Sequence, residues 1–269
     1  AAISLAMLNI CQAGQHIVSA STLYGGTYNL FSSTLPKLGI EVTFVNPDAS
    51  AEEIAAAFRP TTRALYAETI GNPGMNVLDF AKFSAVAKAQ QVPLVIDNTM
   101  ATPYLCRPFE LGANIVVHSA TKYLGGHADL NLGTISALGA SWKKVHATHS
   151  TMGITVSPDD AALGARGLRT LAVRLDHHER SGLHMASWLE GRPEVSRVLH
   201  PALPSHPGHD IWARDFSGAS GLFSLILKPV PEKAVAAFFD ALTLFGMGYS
   251  WGGFESLAIP FDCSEYRSA

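Results

Sequence analysis

Six short apolar or β-branched runs, separated by stretches of helical periodicity, constrain the fold of this 269-residue chain more than any other feature. The runs lie at residues 16–21, 41–45, 64–67, 93–96, 115–117 and 134–138. Helical connectors are expected at 27–38, 51–58 and 80–90, the first two closed by Pro36 and Pro60 and the third followed by Pro93. This alternation predicts an α/β fold: a mainly parallel sheet with helices on both faces and βαβ order throughout. From 159 to 189 the pattern becomes one long helical stretch, interrupted by Gly164, Gly167 and Gly182. Runs at 195–199 and 221–227, with a helical 232–242, then predict a smaller α+β unit. The expected division is a ligand-binding domain over 1–158, a linking helix over 159–190 and an incomplete small domain over 191–269.

Open parallel sheets bind ligands in the crevice outside the carboxyl ends of their strands, so the residues that follow each run carry the functional argument. After residues 113–117 comes His118-Ser119-Ala120-Thr121-Lys122-Tyr123. An amine there, with two hydroxyls to hold an anion, suits an aldehyde cofactor bearing a phosphate, and pyridoxal 5'-phosphate has both groups. On the hexapeptide alone, a surface lysine after a strand reads equally well. The run at 93–96 delivers Asp97-Asn98-Thr99, whose carboxylate can hold a pyridine nitrogen protonated or can simply cap a helix. Tyr24, in Ser21-Thr22-Leu23-Tyr24-Gly25-Gly26, can stack on a flat ring or belong to a glycine turn. Asn72, in Gly71-Asn72-Pro73-Gly74, can meet a ring hydroxyl or initiate a turn. Four strand ends thus offer Tyr24, Asn72, Asp97 and Lys122 to one crevice.

Charge argues for a small-molecule target. With 19 basic against 22 acidic residues and no Lys/Arg run, neither nucleic acid nor an anionic membrane is the expected partner. No apolar run approaches the roughly 18 residues of a membrane span. Cys11, Cys106 and Cys263 are scattered and form no CxxC, which suggests neither a disulfide framework nor a zinc site and fits a reducing cytoplasm. Two rival chemistries have partial motifs. Gly248-Tyr249-Ser250-Trp251-Gly252 matches the G-x-S-x-G elbow of α/β-hydrolases, but the elbow needs an acid and then a histidine after the serine, and the last histidine, His209, precedes Ser250. His177, His178 and His184, and His146 with His149, lack Asp or Cys partners at ligand spacing, so no metal is expected. Neither a P-loop nor a G-x-G-x-x-G supports nucleotide binding.

Asp97-Asn98-Thr99, His118 to Tyr123 and Gly125-Gly126-His127 together resemble the cysteine and methionine metabolism family of pyridoxal-phosphate enzymes, of the aspartate aminotransferase fold type I. The resemblance runs through essentially the whole chain. It implies that Lys122 bonds the cofactor aldehyde and acts as the catalytic base. Asp97 would pair with the pyridine nitrogen, Tyr24 stack on the ring, Asn72 meet the ring hydroxyl, and Ser119 and Thr121 bind the phosphate. Residues 21–29, 68–77 and 99–110 are most similar to O-acetylhomoserine sulfhydrylases. Residues 164–175, 200–204, 212–223 and 249–257 are similar to bacterial cystathionine β-lyases, in which a Ser-Trp pair walls the substrate site. Ser250 and Trp251, with Tyr249 beside them, are therefore the expected substrate-side residues.

The resemblance favours a carbon–sulfur lyase that cleaves cystathionine to homocysteine, pyruvate and ammonia. The alternative is γ-replacement or γ-elimination of the sulfhydrylase kind. The implied assembly is a homodimer or homotetramer with shared active sites. Residues 1–10 read as a helix already under way, and 264–269 as a polar end without a closing element, so sequence is expected beyond both. The family's phosphate turn before Ala2 and its carboxylate-clamping arginine motif are not in the chain, and Arg267 stands outside that motif. Weakened cofactor affinity, or a catalytically inactive fragment, is the corresponding expectation.

Overall fold

Alternate residues of the central strands are apolar in both phases, which places them between two helical layers, as the computed structural model shows. The structure describes residues 1–262; Cys263 and Arg267 lie outside the described residues. Strands β1 (His16–Ala20), β2 (Glu41–Val45), β3 (Thr62–Glu68), β4 (Leu94–Asp97), β5 (Ile115–Ser119) and β6 (Gly133–Ala137) form one sheet in the order β2-β1-β3-β4-β5-β6. The first five are mutually parallel and β6 is antiparallel to β5. The expectation of βαβ order throughout therefore fails at its last step. Residues 120–132, which join β5 to β6, contain no helix, and without a crossover element the chain returns antiparallel.

Helices α1 (Ala2–Ile10), α2 (Gly25–Asn29), α3 (Ala51–Ala56), α4 (Phe80–Ala89), α5 (Thr102–Leu105) and α6 (Gly139–Met152) flank this sheet. On one face Ile17, Ala64, Tyr66, Val95, Ile115 and Val117 pack with Met7 of α1, with Phe31 and Leu35, and with Val145 of α6. On the other, Val18, Leu65, Leu94, Ile96 and Val116 pack with Ile54 of α3 and with Phe80, Phe83 and Val86 of α4. Each fully buried Phe or Leu contributes about 1.5–3 kcal/mol of transfer free energy. The clearest helix start is at α3, where the Ser50 hydroxyl accepts from Glu53 N and the Glu53 carboxylate accepts from Ser50 N, a reciprocal cap. The expected helix 27–38 is instead α2 followed by a π-helical turn at Leu30–Thr34 and a 3-10 turn at Leu35–Leu38. Pro36 lacks the amide an α-helix would need there.

The long stretch from 159 is two helices, α7 (Pro158–Arg169) and α8 (Leu171–Glu190), divided at Thr170. Leu171 and Leu175 of α8 join the sheet core. Beyond it, β7 (Val195–Leu199) and β8 (Ser224–Leu227) pair antiparallel, with α9 (His209–Asp215), α10 (Glu232–Asp240) and a two-residue pairing of β9 (Gly246–Met247) with β10 (Leu257–Ala258). No helix of the described residues is long and apolar enough to cross a membrane.

Candidate active site

The strand order makes β1 the point from which the chain winds outward in both directions, so the crevice between the carboxyl ends of β1 and β3 is the natural ligand position. The sequence places Tyr24 after β1 and Asn72 after β3, one on each side of that crevice. Glu68, the last residue of β3, reaches across it, and its Oε1 accepts the Tyr24 amide at 2.7 Å. The Tyr24 ring is 61% exposed, so its face is free to cover a ligand. Glu68 received no role from the sequence; its one signal is a carboxylate ending an apolar run.

Asp97 ends β4, the next strand along, and is buried. Its Oδ1 accepts the Thr99 amide at 2.9 Å and also the Thr99 hydroxyl, and that hydroxyl in turn accepts the Ser119 amide at 2.8 Å from the end of β5. Thr99 thus ties the carboxylate to the segment that carries the lysine. The Asp-x-Thr spacing is the signal for this tie, since Asp side chains bond the backbone two residues on. Among the described residues Asp97 has no ion-pair partner, and burial raises its pKa against the opposing pull of the Thr99 bonds. A buried carboxylate without a cation fits a protonated heterocyclic nitrogen as its missing partner.

Lys122 lies three residues beyond β5 and is half-buried, which lowers its pKa from the ordinary 10.5. Its Nζ donates to Ser250 Oγ at 2.8 Å and stands 5.4 Å from the centre of the Trp251 ring. Trp251 also meets the Tyr123 ring at 5.2 Å. The wall comes this close because Gly252, at φ +84°, has no side chain: a Cβ there would lie 2.9 Å from Tyr123 N and 3.2 Å from Lys122 Cα. Ser250 sits in an irregular segment, not between a strand and a helix, so the hydrolase elbow is not formed. Tyr249 is 80% exposed and stands apart from this contact.

The anion side is assembled from three pieces. The Ser119 hydroxyl makes no hydrogen bond among the described residues, whereas Thr121 Oγ1 accepts the Leu132 amide at 3.0 Å and closes the turn into β6. Gly133, the residue paired with Ser119, abuts Ala2 at the start of α1, whose first turn has no side-chain cap. Uncapped amides beside a free hydroxyl fit a phosphate. No group of three or more His, Cys, Asp or Glu among the described residues is placed to hold a metal. His118, on β5 itself, is buried with Nε2 unpartnered, and burial pushes its pKa down to about 4.

Comparison with known proteins identifies the family. The family model described as Cys/Met metabolism PLP-dependent enzyme matches residues 1–267. A provisionally named cystathionine beta-lyase of Rhizobium johnstonii is 44% identical over 96% of the chain and 66% of its own length. The cystathionine beta-lyase of Bordetella avium is 43% identical over 96% of the chain and 64% of its own length. A crystal structure described as metB from Corynebacterium glutamicum superposes with a TM-score of 0.90 at 36% identity, covering 95% of the chain and 66% of that structure. The chain therefore spans just under two thirds of the length of these relatives.

Proposed function

The chain belongs to the Cys/Met metabolism family of PLP-dependent enzymes, and from that premise we propose that the protein is a carbon–sulfur lyase cleaving cystathionine to homocysteine, pyruvate and ammonia. The observation that carries the reading is the Lys122 amine, held 2.8 Å from Ser250 and against Trp251 at the end of a strand whose neighbour delivers the buried, unpaired Asp97. Pyridoxal phosphate, when bound, supplies an electron sink for a carbanion at the substrate α-carbon.

The chain's own residues supply the rest. Lys122 Nζ takes the α-proton, and burial, by lowering its pKa, raises the share of neutral amine able to do so. Ser250 Oγ fixes the direction of that amine, while Trp251 and Tyr123 keep water from one side of it. Asp97, oriented by Thr99, holds the charge that keeps the heterocyclic nitrogen protonated. Tyr24 covers the ring face, and Asn72 meets the ring hydroxyl. Ser119, Thr121 and the first amides of α1 take the phosphate, the Thr121 hydroxyl turning from its contacts with Leu132 to do so. Tyr249 belongs to the outer rim of the substrate side.

The small sulfur-containing amino acid, a homodimeric or homotetrameric assembly and a cytoplasmic setting are parts of the same proposal. So is the division into 1–158, 159–190 and 191–269. The test is cystathionine supplied to the chain with pyridoxal phosphate and extended to its relatives' length: pyruvate is expected, with none from Lys122→Ala. Homocysteine from O-acetylhomoserine and sulfide, without pyruvate from cystathionine, would replace the reading with the sulfhydrylase one.

A further inference from the structure

Arg174, on α8, is the most heavily bonded cation near the proposed amine, and it has no acidic partner among the described residues. Its Nη1 donates to the Tyr123 carbonyl at 2.8 Å, its Nη2 to the Gly167 carbonyl at 2.8 Å, and its Nε to the Thr170 hydroxyl at 3.0 Å. The three acceptors come from the segment after Lys122, from α7 and from the break between α7 and α8. A half-buried guanidinium spent on neutral acceptors is costly in desolvation, so a carboxylate-free site of this kind asks for an explanation other than net charge pairing.

The surroundings are shaped to admit it. Gly126, at φ +73°, lies so close that a Cβ there would stand 2.0 Å from Nη1. Gly167 presses its bare Cα on the same segment, where a Cβ would lie 2.3 Å from the Leu124 carbonyl oxygen and 2.4 Å from that of Gly125. One turn along α8, His178 meets the Tyr123 ring at 5.4 Å; that ring also meets Trp251, and its hydroxyl bonds Ser220 and the backbone at Gly221 and Leu222. Residues four apart share a helix face, so α8 grips Tyr123 twice, at its carbonyl through Arg174 and at its ring through His178. Tyr123 is the immediate neighbour of Lys122.

We propose that Arg174 is a positioning residue for Lys122: by pinning the Tyr123 carbonyl to the α7–α8 junction it sets where the amine stands against Ser250 and Trp251. The proposal rests on the reading of Lys122 as the reactive amine and adds to it a residue on the long helix, outside the strand-end crevice. A planar fork with five donors satisfies all three acceptors at once, and the single ammonium of lysine cannot.

Two readings on the full chain test it, for wild type, Arg174→Gln and Arg174→Lys. The first is amide hydrogen exchange without cofactor. Residues 123–126 are expected to exchange about tenfold faster in Arg174→Gln, the loss of one charge-assisted hydrogen bond, with β4 unchanged and Arg174→Lys in between. The second is modification of Lys122 by pyridoxal phosphate, trapped with borohydride and read by peptide mass spectrometry across pH. Release of the amine from its half-buried position is expected to move the pH midpoint up, towards that of an ordinary lysine. Unchanged exchange at 123–126, or acceleration shared equally by β4, overturns the proposal, as does an Arg174→Lys chain matching wild type in both readings. Should wild type take no label at Lys122, the assignment of the amine fails instead, and the exchange reading still decides whether Arg174 holds the segment.

Discussion

The sheet and the region beyond α8 are built to different standards. In the sheet, β1 and β4 are buried at every residue and both faces carry continuous apolar layers. After residue 191 the cluster formed with α8 has three buried members, Ala186, Val198 and Leu203, while α10 buries none of its residues and Phe238, Leu244, Met247 and Phe254 are exposed. The proposed site draws on both. Tyr24, Asn72, Asp97, Ser119 and Lys122 hang on the dense half, whereas Ser250 and Trp251 arrive from the sparse one. Covalent and charge-bearing positions need fixed geometry, which a packed sheet supplies; a wall facing the substrate does not need the same rigidity.

Equal packing of the two halves would break this contrast, and the largest test is a pair of phenylalanines. Phe83→Ala, in the sheet core, should lower the unfolding free energy by about 3–5 kcal/mol in denaturant titration. Phe238→Ala, at a 51% exposed position, should change it by no more than about 0.5 kcal/mol. Similar costs at the two sites would show that the sparse region is packed as firmly as the sheet.

Histidine burial sharpens the picture, because it is the respect in which the halves agree. His118 in the sheet and His200 after β7 are both buried with Nε2 unpartnered, and burial pushes each pKa down from 6.5 to about 4. The unfolded chain then takes up the proton first, so stability is full above pH 6.5 and falls as pH drops towards 4. Each ring should account for up to about 2 kcal/mol lost between pH 7 and pH 5. His200→Gln should flatten that dependence by its share, and an unaltered slope would remove His200 from the account.

The smallest effect belongs to Ser250→Ala. Ser250 is exposed, so unfolding free energy should stay within about 0.5 kcal/mol of wild type. Its hydroxyl accepts from Nζ and so favours the ammonium; without it the pH midpoint for aldehyde labelling of Lys122 should fall by up to about one unit. An unmoved midpoint would show that the Ser250 hydroxyl has no influence on the amine.

Strand positions were legible because strands leave short β-branched or apolar runs: Glu41–Val45 matches its run, the other sheet runs differ by one or two residues at one or both ends, and the run at 221–227 starts three residues ahead of β8. Direction was not, since an antiparallel β6 carries the same pattern as a parallel one. Helix α6 escaped because it buries a single residue, Val145, and so shows almost no apolar stripe. Gly167 and Gly182 read as helix interruptions but are contact points inside α7 and α8, the first against the carbonyls after Lys122 and the second against Ser220 and Gly221; the break falls at Thr170. Within the site, the strand-end residues were readable from position alone. The approach of Ser250 to Lys122 spans 128 residues and was available only through the family resemblance. Arg174 lay among other polar residues of a long helix with nothing to single it out.

That same span orders events during synthesis. Translation at about 5–20 residues per second separates the emergence of Lys122 from that of Ser250 by roughly 6–26 s for a separation of 128 positions. Through that interval the nascent sheet can close while its lysine still faces bulk solvent, so the aldehyde can reach the growing polypeptide before its tryptophan wall exists.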